Sequence, residues 1–166
     1  MSPVIYSVEG DVATITLDDK ENRNALGNAL TTGIYQAITS ANADPNVRAL
    51  VLTHKGNVFC AGANLKERST QTGQVDQETI GFDQVLELIL KSPKPVIAKI
   101  SGAAMGGGIG LACAADISIA TKDAKFGLMF GPEASGLSNE DLSCSNYILQ
   151  IPTSNNFKSL NLSHSL

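Results

Sequence analysis

The chain is predicted to fold as an α/β domain, layered in the α+β manner, and three observations carry that prediction. Segments of strand character alternate with segments of helical periodicity in the order β-β-α-β-α-β-α-β. One strand segment, "VRALVLTH", is a strong continuous apolar run of the kind buried on both faces of a sheet. With 166 residues the chain is long enough for one domain with a real core and too short for two.

Each element has its own signal. "VIYSVEGDVATITL" reads as two strands around Glu9–Gly10–Asp11, with apolar residues alternating over Val12–Leu17. A polar entry, Asn24 to Asn28, leads into a segment where Ala29, Ile34, Ala37, Ile38 and Ala41 recur at helical spacing. Asn28 is the expected cap of that helix, and Pro45 follows its end. Val47–Thr53 reads as a strand buried on both faces. "KGNVFCAGANLKERS" reads as a loop with a short helical turn at its end. Ile80, Val85, Leu86, Leu88, Ile89 and Leu90 mark a second amphipathic helix, stopping before Pro93. "KPVIAKI" is the next strand, "GGIGLACAAD" a short apolar helix and "ISIAT" a final strand. After Gly127 the composition changes: Ser and Asn make up thirteen of the 33 residues from Ala134 to Leu166. The expected division is therefore a core over 1–127 and a weakly structured Ser/Asn-rich tail over 128–166, with a short helix through Tyr147 and Ile148 as the alternative.

Bulk properties exclude several classes. A net charge of −4 without basic clusters leaves no electrostatic footprint for nucleic acid. The N-terminus lacks a signal-peptide pattern, and no apolar run reaches the roughly 20 residues of a membrane span. Cys60, Cys113 and Cys144 show no CxxC spacing, so neither a metal site nor a disulfide framework is expected, and a reducing, cytoplasmic setting follows.

The triplet Gly106–Gly108 in "SGAAMGGGIG" needs explaining, because glycine is costly inside structure. The chain offers no Lys-Ser/Thr pair for a Walker loop. Cys113 stands where a dinucleotide fingerprint needs its third glycine. A tight strand-to-helix turn without a ligand is one reading. A second loop, "NVFCAGANLKER", supports another, since it also follows a strand and also turns through small residues, Ala61, Gly62 and Ala63. Were the two loops to lie at neighbouring strand ends, one N–H from each could meet one oxygen, as in an oxyanion hole.

The motifs "RNAL" (Arg23–Leu26), "FCAGANLKE" (Phe59–Glu67), "GAAMGGGIGLACAAD" (Gly102–Asp116) and "AKFG" (Ala124–Gly127), in this order, resemble the enoyl-CoA hydratase/isomerase, or crotonase, superfamily. The resemblance implies a repeated ββα spiral core that binds acyl-CoA thioesters, with coenzyme A as part of the substrate and no separate cofactor. It implies oxyanion-hole amides at Ala63 and Gly107, and a CoA pocket lined by Ala61, Ala63, Asn64, Leu65 and Lys66 with Arg23 and Ala25 flanking its outer part. Lys66 also reads as a solvated surface lysine. The implied setting is fatty-acid or branched-chain acyl-CoA catabolism, in trimers or hexamers, with neither nucleic acid nor membrane as partner.

Departures from the pattern are specific. Similar hydratases use two glutamates; the first position is Gly110 here and the second Phe130. Glu133, three residues further on, is the candidate acid/base if the loop carries an insertion, and otherwise an exposed loop glutamate. Weak or absent hydration of a simple enoyl-CoA is therefore expected. Asn64 replaces a usual aspartate yet can still cap the following turn, and Asp116 reads as structural. His54 and Cys60 read as a surface histidine and a buried thiol. Nothing in Leu128–Leu166 resembles the C-terminal helices of the family, so the helical part that would close the acyl pocket is expected to be missing, as if the frame were truncated or shifted near Leu128. Two rival readings remain: a non-catalytic acyl-CoA binder, and another crotonase chemistry such as isomerisation, thioester hydrolysis or dehalogenation, with Glu67 or Glu133 handling the proton.

Overall fold

The computed structural model describes residues 2–70 and 79–127. Strands β1 (Val4–Glu9) and β2 (Val12–Leu17) form an antiparallel hairpin, with Val4 opposite Leu17 and Glu9 opposite Val12. Helix α1 (Asn28–Ala43) follows, burying Leu30, Thr31, Ile34, Ala37, Ile38 and Ala41. The rest repeats a strand, a short strand and then helix. The first such unit is β3 (Ala49–His54), β4 (Val58–Cys60), α2 (Leu65–Thr70) and α3 (Phe82–Leu90). The second is β5 (Val96–Ile100), β6 (Ala103–Met105) and α4 (Gly107–Ala114), and the third opens with β7 (Ile117–Ala120) and β8 (Lys125–Gly127).

Two sheets result, ordered β1-β2-β3-β5-β7 and β4-β6-β8. Every pairing after the first hairpin is parallel. Each unit thus gives one strand to each sheet, and in the first two a helix then closes the turn, which is a ββα spiral. Parallel neighbours cannot be joined by a tight hairpin, and the intervening second strand and helix supply the crossover. The apolar core runs through this stack, with Ile15, Leu17, Leu50, Leu52, Phe59, Ile100 and Leu111 all essentially sealed from solvent. Burying each such side chain stabilises the fold by about 1.5–3 kcal/mol. Among the described residues no helix is long and apolar enough to cross a membrane.

Several expectations require correction. Strand β3 is packed on one face only: Leu50, Leu52 and His54 are buried while Ala49, Val51 and Thr53 are half-covered. Ala49 and Val51 are themselves apolar, which hides the alternation in the sequence. Asn28 does not cap α1. Gly27 occupies the cap position without a side-chain bond, and the N–H of Asn28 donates to Glu67 Oε2 at 2.9 Å. A carboxylate on α2 therefore serves a helix end 39 residues away. Strands β4, β6 and β8 went unread because three residues are too few to display a period of two. The second helix begins at Phe82, after Ile80. The Ser/Asn-rich tail expected over 128–166 lies outside the described residues.

Candidate functional site: two turns at adjacent strand ends

Strands β4 and β6 are parallel neighbours, Val58 opposite Ala103 and Cys60 opposite Ala104. The segments that follow them, Ala61–Asn64 and Gly106–Gly108, therefore leave the same edge of the same sheet side by side. They touch. Gly62 sits at φ +88, and a Cβ built there would lie 3.0 Å from Met105 O and 3.7 Å from Gly107 N. Gly106, at φ +49, would bring its own Cβ within 3.9 Å of Gly62 Cα. Both turns thus need residues that tolerate left-handed backbone and close approach.

The glycine triplet resolves into separate tasks. Gly106 makes the left-handed turn out of β6. Gly107 is the first residue of α4, so its N–H is one of the four that have no acceptor within the helix, and it carries the positive end of the helix dipole. Gly108 lets α4 press onto β4: a Cβ there would lie 2.6 Å from Cys60 O and 2.8 Å from Cys60 Cβ.

The first turn is held by a third segment. Arg23 and Asn24 lie in the left-handed region at φ 55 and 53. The N–H of Ala61 donates to Arg23 O at 3.2 Å, that of Leu26 to Gly62 O at 2.7 Å, and that of Asn64 to Leu26 O at 3.2 Å. Ala63 is bridged to Leu26 in parallel register. In an extended segment successive N–H groups point to opposite sides. With the Asn64 N–H turned toward Leu26, the Ala63 N–H faces the other way. Neither the Ala63 N–H nor the Gly107 N–H donates to an acceptor among the described residues.

The other residues singled out in the sequence group around these turns. Ala61 and Asn64 are half-buried, Ala25 is buried, and Arg23, Leu65 and Lys66 are exposed. Asn64 does cap the next turn: its Oδ1 accepts from the Glu67 N–H at 3.4 Å, and its Nδ2 donates to Glu67 Oε1 at 2.9 Å. Glu67 thus binds Asn64 with one carboxylate oxygen and the α1 N-terminus with the other. Gly110 stands one helical turn beyond Gly107 and brings no titratable group. Phe130 and Glu133 lie outside the described residues.

His54 is not a surface residue. It is 8% exposed, and its Nε2 accepts from the Ser101 N–H at 3.0 Å while Ser101 Oγ lies at 3.1 Å. Phe59 meets its ring edge-on at a centroid distance of 5.6 Å. Burial lowers the His54 pKa below its ordinary value, opposed by the backbone carbonyls of Lys55 and Val58. Cys60 is buried as expected, and loss of solvent pushes its thiol up to about 12. A thiol that stays protonated is no nucleophile. Asp116 is structural: its Oδ2 accepts from the Val96 N–H at 2.8 Å and its N–H donates to Val96 O at 2.9 Å, tying the end of α4 to the start of β5. Sequence reasoning missed the clamp made by Asn24 and the cap made by Glu67, because both act on backbone distant in the chain.

A parallel ββα spiral with two facing turns at one sheet edge is the crotonase architecture. An enoyl-CoA hydratase from Mycobacterium avium has this fold, with a TM-score of 0.65 and 36% identity over 77% of this chain and 51% of that one. Residues 7–134 match the enoyl-CoA hydratase/isomerase family, to which the chain belongs. Among similar sequences, a protein of Mycobacterium tuberculosis described as a probable enoyl-CoA hydratase is 38% identical over 77% of this chain and 50% of its own length. The (E)-benzylidenesuccinyl-CoA hydratase of Thauera aromatica is 35% identical over 76% of this chain and 50% of its own length. The chain spans about half the length of the relatives it matches.

Proposed function

We propose that this chain binds acyl-CoA thioesters and polarises their carbonyl between the Ala63 and Gly107 N–H groups. The single observation that carries the reading is the contact of the two turns, 3.7 Å from the Gly62 Cβ position to Gly107 N, with both N–H groups lacking a protein acceptor among the described residues. Moving a proton at the α-carbon of a thioester places negative charge on the carbonyl oxygen. Two preset donors then stabilise the enolate, by about 3 kcal/mol each on mutational precedent. The helix dipole of α4 acts in the same direction. The CoA portion runs along Ala61–Lys66, with Lys66 toward a phosphate and Arg23 and Ala25 at the outer edge. The reaction class is enolate chemistry on acyl-CoA, within fatty-acid or branched-chain acyl-CoA catabolism.

Water addition also needs groups that take and deliver protons. Gly110 supplies none, and this favours a second reading, thioester binding with little turnover. Glu67 is a poor proton carrier for an isomerase or thioesterase, because its carboxylate is held by the Asn28 N–H and by Asn64.

Calorimetry with a short acyl-CoA and with the matching S-alkyl-CoA thioether, which lacks only the carbonyl, tests the proposal. Two hydrogen bonds to the carbonyl at about 1 kcal/mol each predict a preference for the thioester of about thirtyfold. Equal affinity for the two ligands would overturn it.

A further inference from the structure

We infer that Asn24 is a positioning residue for the Ala63 N–H: its buried amide fastens the Arg23–Leu26 segment to β4, and that segment is the backbone template on which the Ala61–Asn64 turn is held. The inference rests on the function proposed above and deepens it. Asn24 is 2% exposed, and both ends of its side-chain amide are engaged. Its Nδ2 donates to Val58 O at 2.8 Å, and its Oδ1 accepts from the Asp19 N–H at 2.7 Å. Its own N–H donates to Asp19 O at 2.8 Å, so the loop is closed on itself and anchored to the strand.

The mechanical chain from this amide to the candidate donor is short. Val58 opens β4, the strand that runs into the turn. Asn24 lies between Arg23, whose carbonyl receives the Ala61 N–H, and Leu26, which bonds to both Gly62 O and the Asn64 N–H. These bonds flank Ala63 on both sides and fix the direction of its peptide. The left-handed backbone at Asn24, φ 53, suits asparagine better than most residues, so one residue supplies both the unusual turn and the clamp. Arg23, by contrast, enters the template through its main-chain carbonyl, which receives the Ala61 N–H.

The test separates this role from general support of the fold. Asn24→Asp keeps the acceptor and the tolerance for left-handed backbone but removes the donor to Val58 O. Asn24→Gly keeps the backbone and removes both side-chain bonds, and serves if the aspartate variant does not fold. The readout is the infrared carbonyl stretch of bound acyl-CoA labelled with carbon-13 at the thioester, alongside the ratio of thioether to thioester dissociation constants. In the wild type the stretch is expected at lower frequency than in water, and the ratio at about thirtyfold. In a folded Asn24 variant the stretch is expected to return part of the way, and the ratio to fall about threefold, with affinity for the thioether retained. A variant that is only less stable, with stretch and ratio unchanged, overturns the positioning role. A wild type with neither shift nor preference overturns the oxyanion reading itself, and this inference with it.

Discussion

Replacing Gly62 with alanine probes the contact on which the functional reading stands, and Gly10→Ala is its internal control. Both glycines have positive φ, +59 at Gly10 and +88 at Gly62. An added Cβ at Gly10 meets nothing within 4 Å, so the substitution there carries the conformational cost alone, about 1 kcal/mol. At Gly62 the same cost applies and the Cβ also lies 3.0 Å from Met105 O, a backbone atom that cannot rotate away. Overpacking of this kind adds about 1–3 kcal/mol, giving roughly 3 kcal/mol in total and a difference of about 2 kcal/mol between the variants. Urea unfolding at equal m-value reads that difference directly from the midpoints. Opening the two turns to relieve the contact should also weaken acyl-CoA binding in Gly62→Ala and leave it unchanged in Gly10→Ala. Equal destabilisation by the two substitutions would show that the turns do not touch, and the reading built on their contact would fail.

Further outcomes follow from the same geometry. Wild-type protein should hydrate a short 2-enoyl-CoA barely above the buffer rate, because positioned acid–base groups typically contribute about 10²–10⁴-fold and Gly110 carries none; ordinary hydratase turnover in an ultraviolet assay would refute this. Stability should depend on His54 below pH 6.5. Its folded pKa is lowered, so the unfolded chain takes up the proton first as pH falls below the ordinary value of 6.5, and stability present above that value is lost on the way down to the folded pKa. A protonated ring would set an N–H against the Ser101 N–H that now donates to Nε2. Urea midpoints measured from pH 7.5 to 5.5 should fall in the wild type and flatten in His54→Gln; the same slope in both would reject the assignment.

Local chemistry made much of this molecule legible without coordinates. The apolar periods of α1 and α3, the strands flanked by prolines, and the small residues of the two turns each leave a mark within a short window. The structure keeps these elements and adds β4, β6 and β8, whose three-residue lengths fall below any period. Asn64 was readable as a cap because its partner Glu67 is three residues away. Asn28 misled, since a polar residue at a helix entrance looks like a cap whether or not its side chain is used.

What the residues alone determined was the order of the longer strands and helices, the motif pattern of the family and the absence of a titratable side chain at Gly110, all properties of neighbours along the chain. What only the tertiary structure decided was which distant groups meet: Glu67 with the N-terminus of α1, Asn24 with Val58, His54 with Ser101, and Gly62 with the turn at Gly107. The reason is physical. Periodicity and capping act within a few residues, whereas the hydrogen bonds among these contacts join groups 34 to 47 residues apart that meet only in the packed fold, where registers such as Val58 opposite Ala103 are set.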